Sequence, residues 1–191
     1  MATMLDTSVE QTADEDRALA LRAANGERAA FALLLERHYE RVFRIALRWS
    51  GHRADAEDIT QTVCIKLGAA IRSFRGEAKF TTWLYQLVLN ASRDHLRTVR
   101  NTQQRDAAYA EHTELMQDDG GHGDDVSRAL WAAVRQLPDK TRDAVLLVYG
   151  EDMSHAAAAA VLGCKEATLS WHIHDAKKRL AALLAPHGEV I

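Results

Sequence analysis

FRGEAKFTTWLYQLVLNASRDHLRTVR, residues Phe74 to Arg100, decides how this chain is read. Lys79, Trp83, Gln86, Asn90, Arg93, Arg97 and Arg100 recur at alternating spacings of four and three, so on a helix they line one side. Phe80, Leu84, Leu87, Val88 and Ala91 follow the i, i+4, i+7, i+8, i+11 pattern of a face that packs into a core. One helix then anchors a domain and also turns outward a basic, amide-bearing stripe led by an aromatic, a surface suited to a nucleic-acid strand. A solvated face with ordinary arginines has the same pattern. The rest of the chain has to decide between the two.

At 191 residues the chain is long enough for one large domain or two small ones. It has only ten Gly and two Pro, and no segment shows sustained period-two alternation of β-branched residues. The expected class is all-α. No apolar run approaches the roughly 20 residues needed to cross a bilayer, and MATMLDTSVEQTADED lacks the basic start and apolar centre of a signal peptide, which points to a cytoplasmic protein. The two cysteines, Cys64 and Cys164, stand in apolar helical contexts and form no CxxC pair. They read as small core residues rather than as a metal site or a disulfide framework.

The net charge of -3 argues at first against an anionic partner. Its distribution reverses that impression. Residues 67–105 carry seven Lys or Arg against two acids, a balance of +5, whereas residues 106–127 carry seven acids and no base, a balance of -7. A basic surface is followed by a separate acidic segment that hides it in the average.

In chain order, residues 1–13 are polar and unpatterned and read as a disordered tail. A short helix from Asp14 to Ala24 stops at Asn25-Gly26. A second, Glu27 to Ser50, buries Phe31, Leu34, Leu35, His38, Val42, Ile45 and Trp49, with His38 as a satisfied core histidine rather than a ligand. A third, Ala54 to Ile71, opens with Asp55, Glu57 and Asp58. Three carboxylates suggest a metal or an acid–base pair, but acids in a first turn are stabilised by the helix dipole, and no His or further carboxylate motif completes a site. Its inward stripe is Ile59, Val63, Leu67 and Ala70, which leaves Asp58, Gln61, Thr62 and Lys66 as a polar edge for protein docking.

From Thr98 to Ser127 the apolar pattern fails, and a Gly-Gly pair among many acids marks a flexible acidic linker. Its coil would span on the order of 30 Å. The second domain restarts near Arg128 with Leu130, Val134 and Leu137 on one face, and Pro138 suits the first turn of the next helix. Ser154 is placed to cap SHAAAAAVL, which ends at Gly163-Cys164. The last helix, Lys165 to Leu184, turns Leu169, Ile173, Ala176, Leu180 and Leu183 inward and Thr168, Trp171, Asp175 and Lys178 outward. Short helix, glycine turn and amphipathic helix form a helix-turn-helix pattern.

Two separated regions resemble one family, the bacterial RNA polymerase sigma factors of the extracytoplasmic-function group. DAEDITQTVCIKL (Asp55–Leu67) is similar to region 2.2, FRGEAKFTTWLYQLVLNASRDHLR (Phe74–Arg97) to regions 2.3 and 2.4, and the stretch Leu137–Leu180 to region 4. The resemblance implies a region 2 domain over 14–98, a linker over 99–127, a region 4 helix-turn-helix domain over 128–185 and a tail over 186–191. It implies that Asp55, Asp58, Gln61, Thr62 and Lys66 dock on the β′ clamp helices of core polymerase. The loop of Phe74, Arg75, Gly76, Glu77, Ala78, Lys79 and Phe80 would receive an unstacked minus-ten base. Trp83, Gln86, Asn90, Arg93 and Arg97 would hold the neighbouring strand, where stacking on an aromatic contributes ~1–3 kcal/mol per base.

By the same resemblance, Lys165, Thr168, Ser170, Trp171, His172 and Lys178 lie in or beside the major groove of the minus-thirty-five element, with Arg142 on phosphate. Ser170, His172 and Asp175 stand where the family commonly has Lys or Arg, so the recognition helix is less basic than usual. The linker would thread the RNA exit path of the polymerase, and the β flap joins the β′ clamp helices as an implied contact on the core enzyme. The implied function is a promoter-specificity subunit without catalysis or cofactor, held by an anti-sigma factor that covers Trp171 and the third helix. An autonomous helix-turn-helix regulator would leave the Phe74–Arg100 stripe and the linker without a task. An enzyme would need a nucleophile–base pair or a metal cluster; His172 and His174, two apart on a helix, point to different faces.

Overall fold

The computed structural model describes residues 2–107 and 125–185, with side chains placed for 12–102 and 126–185. Helices α1 (Ala2–Ala24), α2 (Arg28–Ser50), α3 (Arg53–Ala70) and α4 (Phe80–Ala107) make the first unit, with a 3-10 turn at Ile71–Ser73. Helices α5 (Asp125–Arg135), α6 (Asp139–Val145), α7 (His155–Leu162) and α8 (Glu166–Leu184) make the second, with a π turn at Leu146–Gly150. No strand occurs among the described residues, and the all-α, two-unit expectation holds.

Helix α2 packs against α1, α3 and α4. Its stripe Leu34, His38, Val42, Ile45 and Trp49 is buried, and Ile59, Val63 and Leu67 of α3 and Phe80, Leu84 and Val88 of α4 close over it. Each large apolar side chain so enclosed contributes about 1.5–3 kcal/mol relative to exposure. His38 is the polar member of that stripe. Its Nε2 lies 2.8 Å from Asp16 Oδ2, its ring is 5.3 Å from that of Phe80, and both partners of the pair are nearly inaccessible. Burial by itself would raise the Asp16 carboxyl, but His38 and then Arg37, 2.8 Å away, hold it below its ordinary value.

In the second unit α6, α7 and α5 surround α8, burying Val134, Leu137, Ala144, Leu147, Val161, Leu169 and Ile173. Ser154 caps α7, its hydroxyl accepting from Ala157 N at 3.2 Å. Gly163 ends that helix in the left-handed region at φ 62°, where an L side chain meets steric strain.

Two boundaries differ from expectation for the same reason. Helix α1 begins at Ala2 rather than Asp14, and α4 continues past Thr98 to Ala107. Neither stretch contains Gly or Pro, and a helix once nucleated propagates until a residue stops it. Of the expected linker, residues 108–124 lie outside the described residues, as does the tail 186–191. The units also touch. Helix α4 packs on α7, and α2 packs on α5 and on the Leu146–Gly150 turn, so buried apolar residues of both units form one continuous core.

Candidate nucleic-acid interface

The loop between α3 and α4 is held by its own aromatics. Phe74 and Phe80 are buried, their rings edge to face at 5.9 Å, and Trp83 leans on both at 5.6 and 6.1 Å. Gly76 is buried with φ 71°, and its carbonyl accepts from Arg17 Nε at 3.1 Å, which ties the loop to α1. A cavity of about 200 Å³ opens between Ser73–Ala78 and the Trp83 ring. Phe74 and Gly76 therefore line the cavity instead of standing free, Phe80 packs against the Phe74 and Trp83 rings, and Arg75, Glu77, Ala78 and Lys79 are exposed around it.

The stripe of α4 does not face solvent along its whole length. Lys79, Asn90, Arg97 and Arg100 are exposed, but the middle of the stripe meets the second unit. Gln86 Nε2 donates to Val161 O at 3.1 Å. Arg93 donates from Nε to Asp143 Oδ2 at 2.9 Å and from Nη2 to the same oxygen, while its Nη1 bonds Asn90 Oδ1 at 3.1 Å. Spacing placed these residues on one side correctly. It carried no information about what that side would touch.

Two carboxylates of the second unit make this contact. Asp143 is fully buried, and its Oδ1 accepts from Trp49 Nε1 at 2.9 Å. Burial pushes its carboxyl up, opposed by Arg93, Trp49 and Arg142. Glu151, its side chain 5% exposed, lies 3.9, 3.5 and 3.2 Å from Arg41, Arg44 and Arg48 and accepts from the Tyr85 hydroxyl at 2.9 Å. Burial and the adjacent Glu151 charge raise the Tyr85 hydroxyl, so it remains a donor. Sequence reasoning missed both acids and the Arg41, Arg44, Arg48 row. The row was visible as cations at three–four spacing on α2, and Asp143 as an acid beside the apolar run Ala144–Val148.

On α8, Lys165, Thr168, Ser170 and Lys178 are exposed, and Trp171 is 59% exposed. Ser170 Oγ lies 3.1 Å from His155 Nδ1, and His172 Nδ1 lies 3.0 Å from Thr141 Oγ1, which fixes the half-buried imidazole against α6. Lys165 occupies the cap position without a side-chain cap bond. Arg142 corrects the expectation of a phosphate contact in this arrangement. It is only 3% exposed, stacks over Trp49 at 3.8 Å from the ring centroid, and bonds Arg135 O and Asp139 Oδ1 at 3.0 and 2.7 Å.

Along α3, Asp58, Gln61 and Thr62 are exposed as an edge. Lys66 pairs with Asp94 at 3.0 Å, and Asp55 turns toward α4, its Oδ1 2.9 Å from His95 Nε2. Ile65, 67% exposed beside Thr62 and Lys66, adds an apolar residue that the polar reading of this edge left out. Among the described residues no cluster of His, Cys, Asp or Glu is arranged to hold a metal ion, and no helix is long and apolar enough to cross a membrane. The surfaces present cations, amides, aromatics and shallow cavities, the chemistry of polyanion and base binding.

Comparison with known proteins agrees with that chemistry. Residues 34–102 match Sigma-70 region 2 and residues 127–180 match Sigma-70, region 4. The chain is 30% identical to the ECF RNA polymerase sigma factor SigE of Mycolicibacterium smegmatis, over 96% of this chain and 74% of that protein. Its fold is similar to CnrH in complex with the cytosolic domain of CnrY, with a TM-score of 0.66 and 26% identity, covering 90% of this chain and 98% of the other. It is also similar to the sigma factor RpoE in complex with the anti-sigma factor NepR from Bartonella quintana, with a TM-score of 0.63 and 25% identity over 81% and 96% of the two chains. The paired regions in this order, on helical units of this form, make the chain a member of the extracytoplasmic-function sigma factors of the sigma-70 family.

Proposed function

We propose that the chain joins core RNA polymerase in the cytoplasm as a promoter-specificity subunit with no catalysis and no cofactor of its own. The observation that carries this is the pairing of an aromatic-walled cavity at Phe74–Trp83 with an exposed recognition helix in one chain. The first unit takes a flipped minus-ten base between the Ser73–Ala78 loop and Trp83, with Arg75, Glu77, Ala78 and Lys79 at the rim and Asn90 and Arg97 following the strand. A few kcal/mol of unstacking is offset by stacking and edge hydrogen bonds. Thr168, Ser170, Trp171 and Lys178 of the second unit read the minus-thirty-five duplex.

The edge Asp58, Gln61, Thr62 and Ile65 docks on the β′ clamp helices, and the second unit meets the β flap. A cognate anti-sigma factor covers the free protein, a reading supported by the anti-sigma complex of the similar RpoE. Run-off transcription with core enzyme tests the proposal directly. Added protein should redirect initiation to a distinct promoter set carrying both elements. Core enzyme that never changes its start sites, or high-affinity duplex binding by the protein alone, would favour an autonomous regulator instead.

A further inference from the structure

The two carboxylates at the contact between the units have a shared peculiarity. Every hydrogen bond and ion pair found for Asp143 and Glu151 among the described residues comes from the first unit, from Trp49 and Arg93 in one case and from Arg41, Arg44, Arg48 and Tyr85 in the other. Within its own unit Asp143 has the nearby Arg142 charge but accepts no side-chain hydrogen bond among the described residues, and Glu151 is paired with the first unit's arginines. Both are nevertheless buried, and a buried carboxylate without partners is strongly unfavourable. Their burial is therefore stable only while the units are together. Separation returns both to water and frees the arginines.

The contact between the units occupies α4 groups that the resemblance gives to the promoter strand, one through Asp143 and one through a backbone carbonyl. Arg93 has Nε and Nη2 committed to Asp143, and Gln86 has its amide on Val161 O. Both donors converge on one carboxylate oxygen, a charge-assisted contact of the kind arginine also makes with a phosphate oxygen. We propose that the second unit is a built-in phosphate mimic for the first: in the free chain Asp143 and Glu151 latch the units shut, cover the centre of the α4 stripe, and must be displaced before promoter DNA binds. No second protein is needed for this closure. It rests on the reading of α4 as the minus-ten surface.

The consequence is quantitative. When only a fraction of molecules is open, the apparent dissociation constant for a ligand of the open form rises by the inverse of that fraction. A chain open in roughly one molecule in 100 binds forked promoter DNA about 100-fold more weakly than its open form. Salt should open the latch only gradually, because enclosed pairs are screened less than exposed ones.

The test uses the full chain with Cys64→Ala and Cys164→Ala, and donor and acceptor dyes on Ala29→Cys and Ala182→Cys, both exposed sites. Energy transfer in the free protein should be high and should fall in Glu151→Lys. Glu151→Gln, which keeps the shape and removes the charge, gives a smaller fall and guards against a folding defect, with circular dichroism reporting helix content. Unlabelled Glu151→Lys should bind a forked minus-ten probe at least tenfold more tightly than the parent.

A short bismaleimide joining Gln86→Cys to Leu162→Cys, residues that line one cavity between the units, should abolish that binding relative to the same variant left unlinked. Energy transfer unchanged by both Glu151 substitutions overturns the latch. So does opening without a gain in DNA affinity, or a linked chain that still binds. Run-off transcription of the parent with core polymerase separates the two ideas, since its success with a failed latch leaves the sigma reading intact, and its failure removes that reading first.

Discussion

At the scale of single residues, the buried polar groups set the sharpest expectations. Asp16 is 2% exposed and is held below its ordinary carboxyl range by His38 and Arg37 against the opposing effect of burial. A carboxyl lowered on folding contributes stability that is complete above its unfolded value, about 3.9, and is lost as pH falls through the lower folded value. Acid titration should therefore weaken the α1–α2 contact below about pH 4. In Asp16→Asn that step should disappear from a pH series of urea melts, with about 1–3 kcal/mol lost at neutral pH. Ser154 sets a second expectation. Its hydroxyl satisfies one orphan amide of α7, so Ser154→Ala should cost about 1 kcal/mol in the same melts while leaving the α8 surface in place. The cap was legible from residue type alone. Asp16 was not, since an acid in a first expected turn reads as a dipole partner until the neighbour that buries it is known.

At the scale of elements, each proposed docking surface combines an exposed edge with a packed reverse face, so its function and the stability of its unit can be tested apart. On α3, Ile59, Val63 and Leu67 hold the helix in the core while Ile65 stands outside it. Ile65→Asp should lower affinity for core polymerase at least tenfold, measured by competition against a labelled sigma factor, with an unchanged melting temperature. A single exposed apolar residue is ordinary on a protein surface, so the affinity measurement rather than the exposure decides its part. On α8, Leu169, Ile173 and Ala176 face inward and Trp171 outward. Trp171→Ala should weaken initiation at promoters that depend on the minus-thirty-five element, read by run-off transcription, and leave the fold unaltered. Periodicity made both inward stripes legible, because burial repeats every three or four residues along a helix and leaves its trace in residue type. The reach of α1 and α4 was less legible, because polar sequences without Gly or Pro carry no stop signal.

At the scale of the whole molecule, the meeting of the two units changes what each surface can do. Trp49, stacked on Arg142 and bonded to Asp143, belongs to α2 yet completes α6. Arg48 similarly reaches Glu151, the Gly150 carbonyl and the Trp131 ring, 5.4 Å from its guanidinium. Because one apolar core runs through both units, calorimetry of the parent chain should show one melting transition; Glu151→Gln, with a neutral group among Arg41, Arg44 and Arg48, should broaden or split it. The sequence by itself determined the all-α class, the two units, the inward stripes and the order of sigma regions, since helix periodicity, caps and motif order are local properties written in neighbouring residues. Tertiary structure alone decided that Gln86 and Arg93 meet the second unit, that Arg142 is stacked beneath Trp49, and that Asp143 and Glu151 are buried among arginines. Those facts depend on residues 50 or more positions apart in the chain, and no spacing rule reaches across such a distance. The Phe74–Arg100 stretch thus carries its chemistry in its sequence, while the part of it left exposed is set by the unit that packs against it.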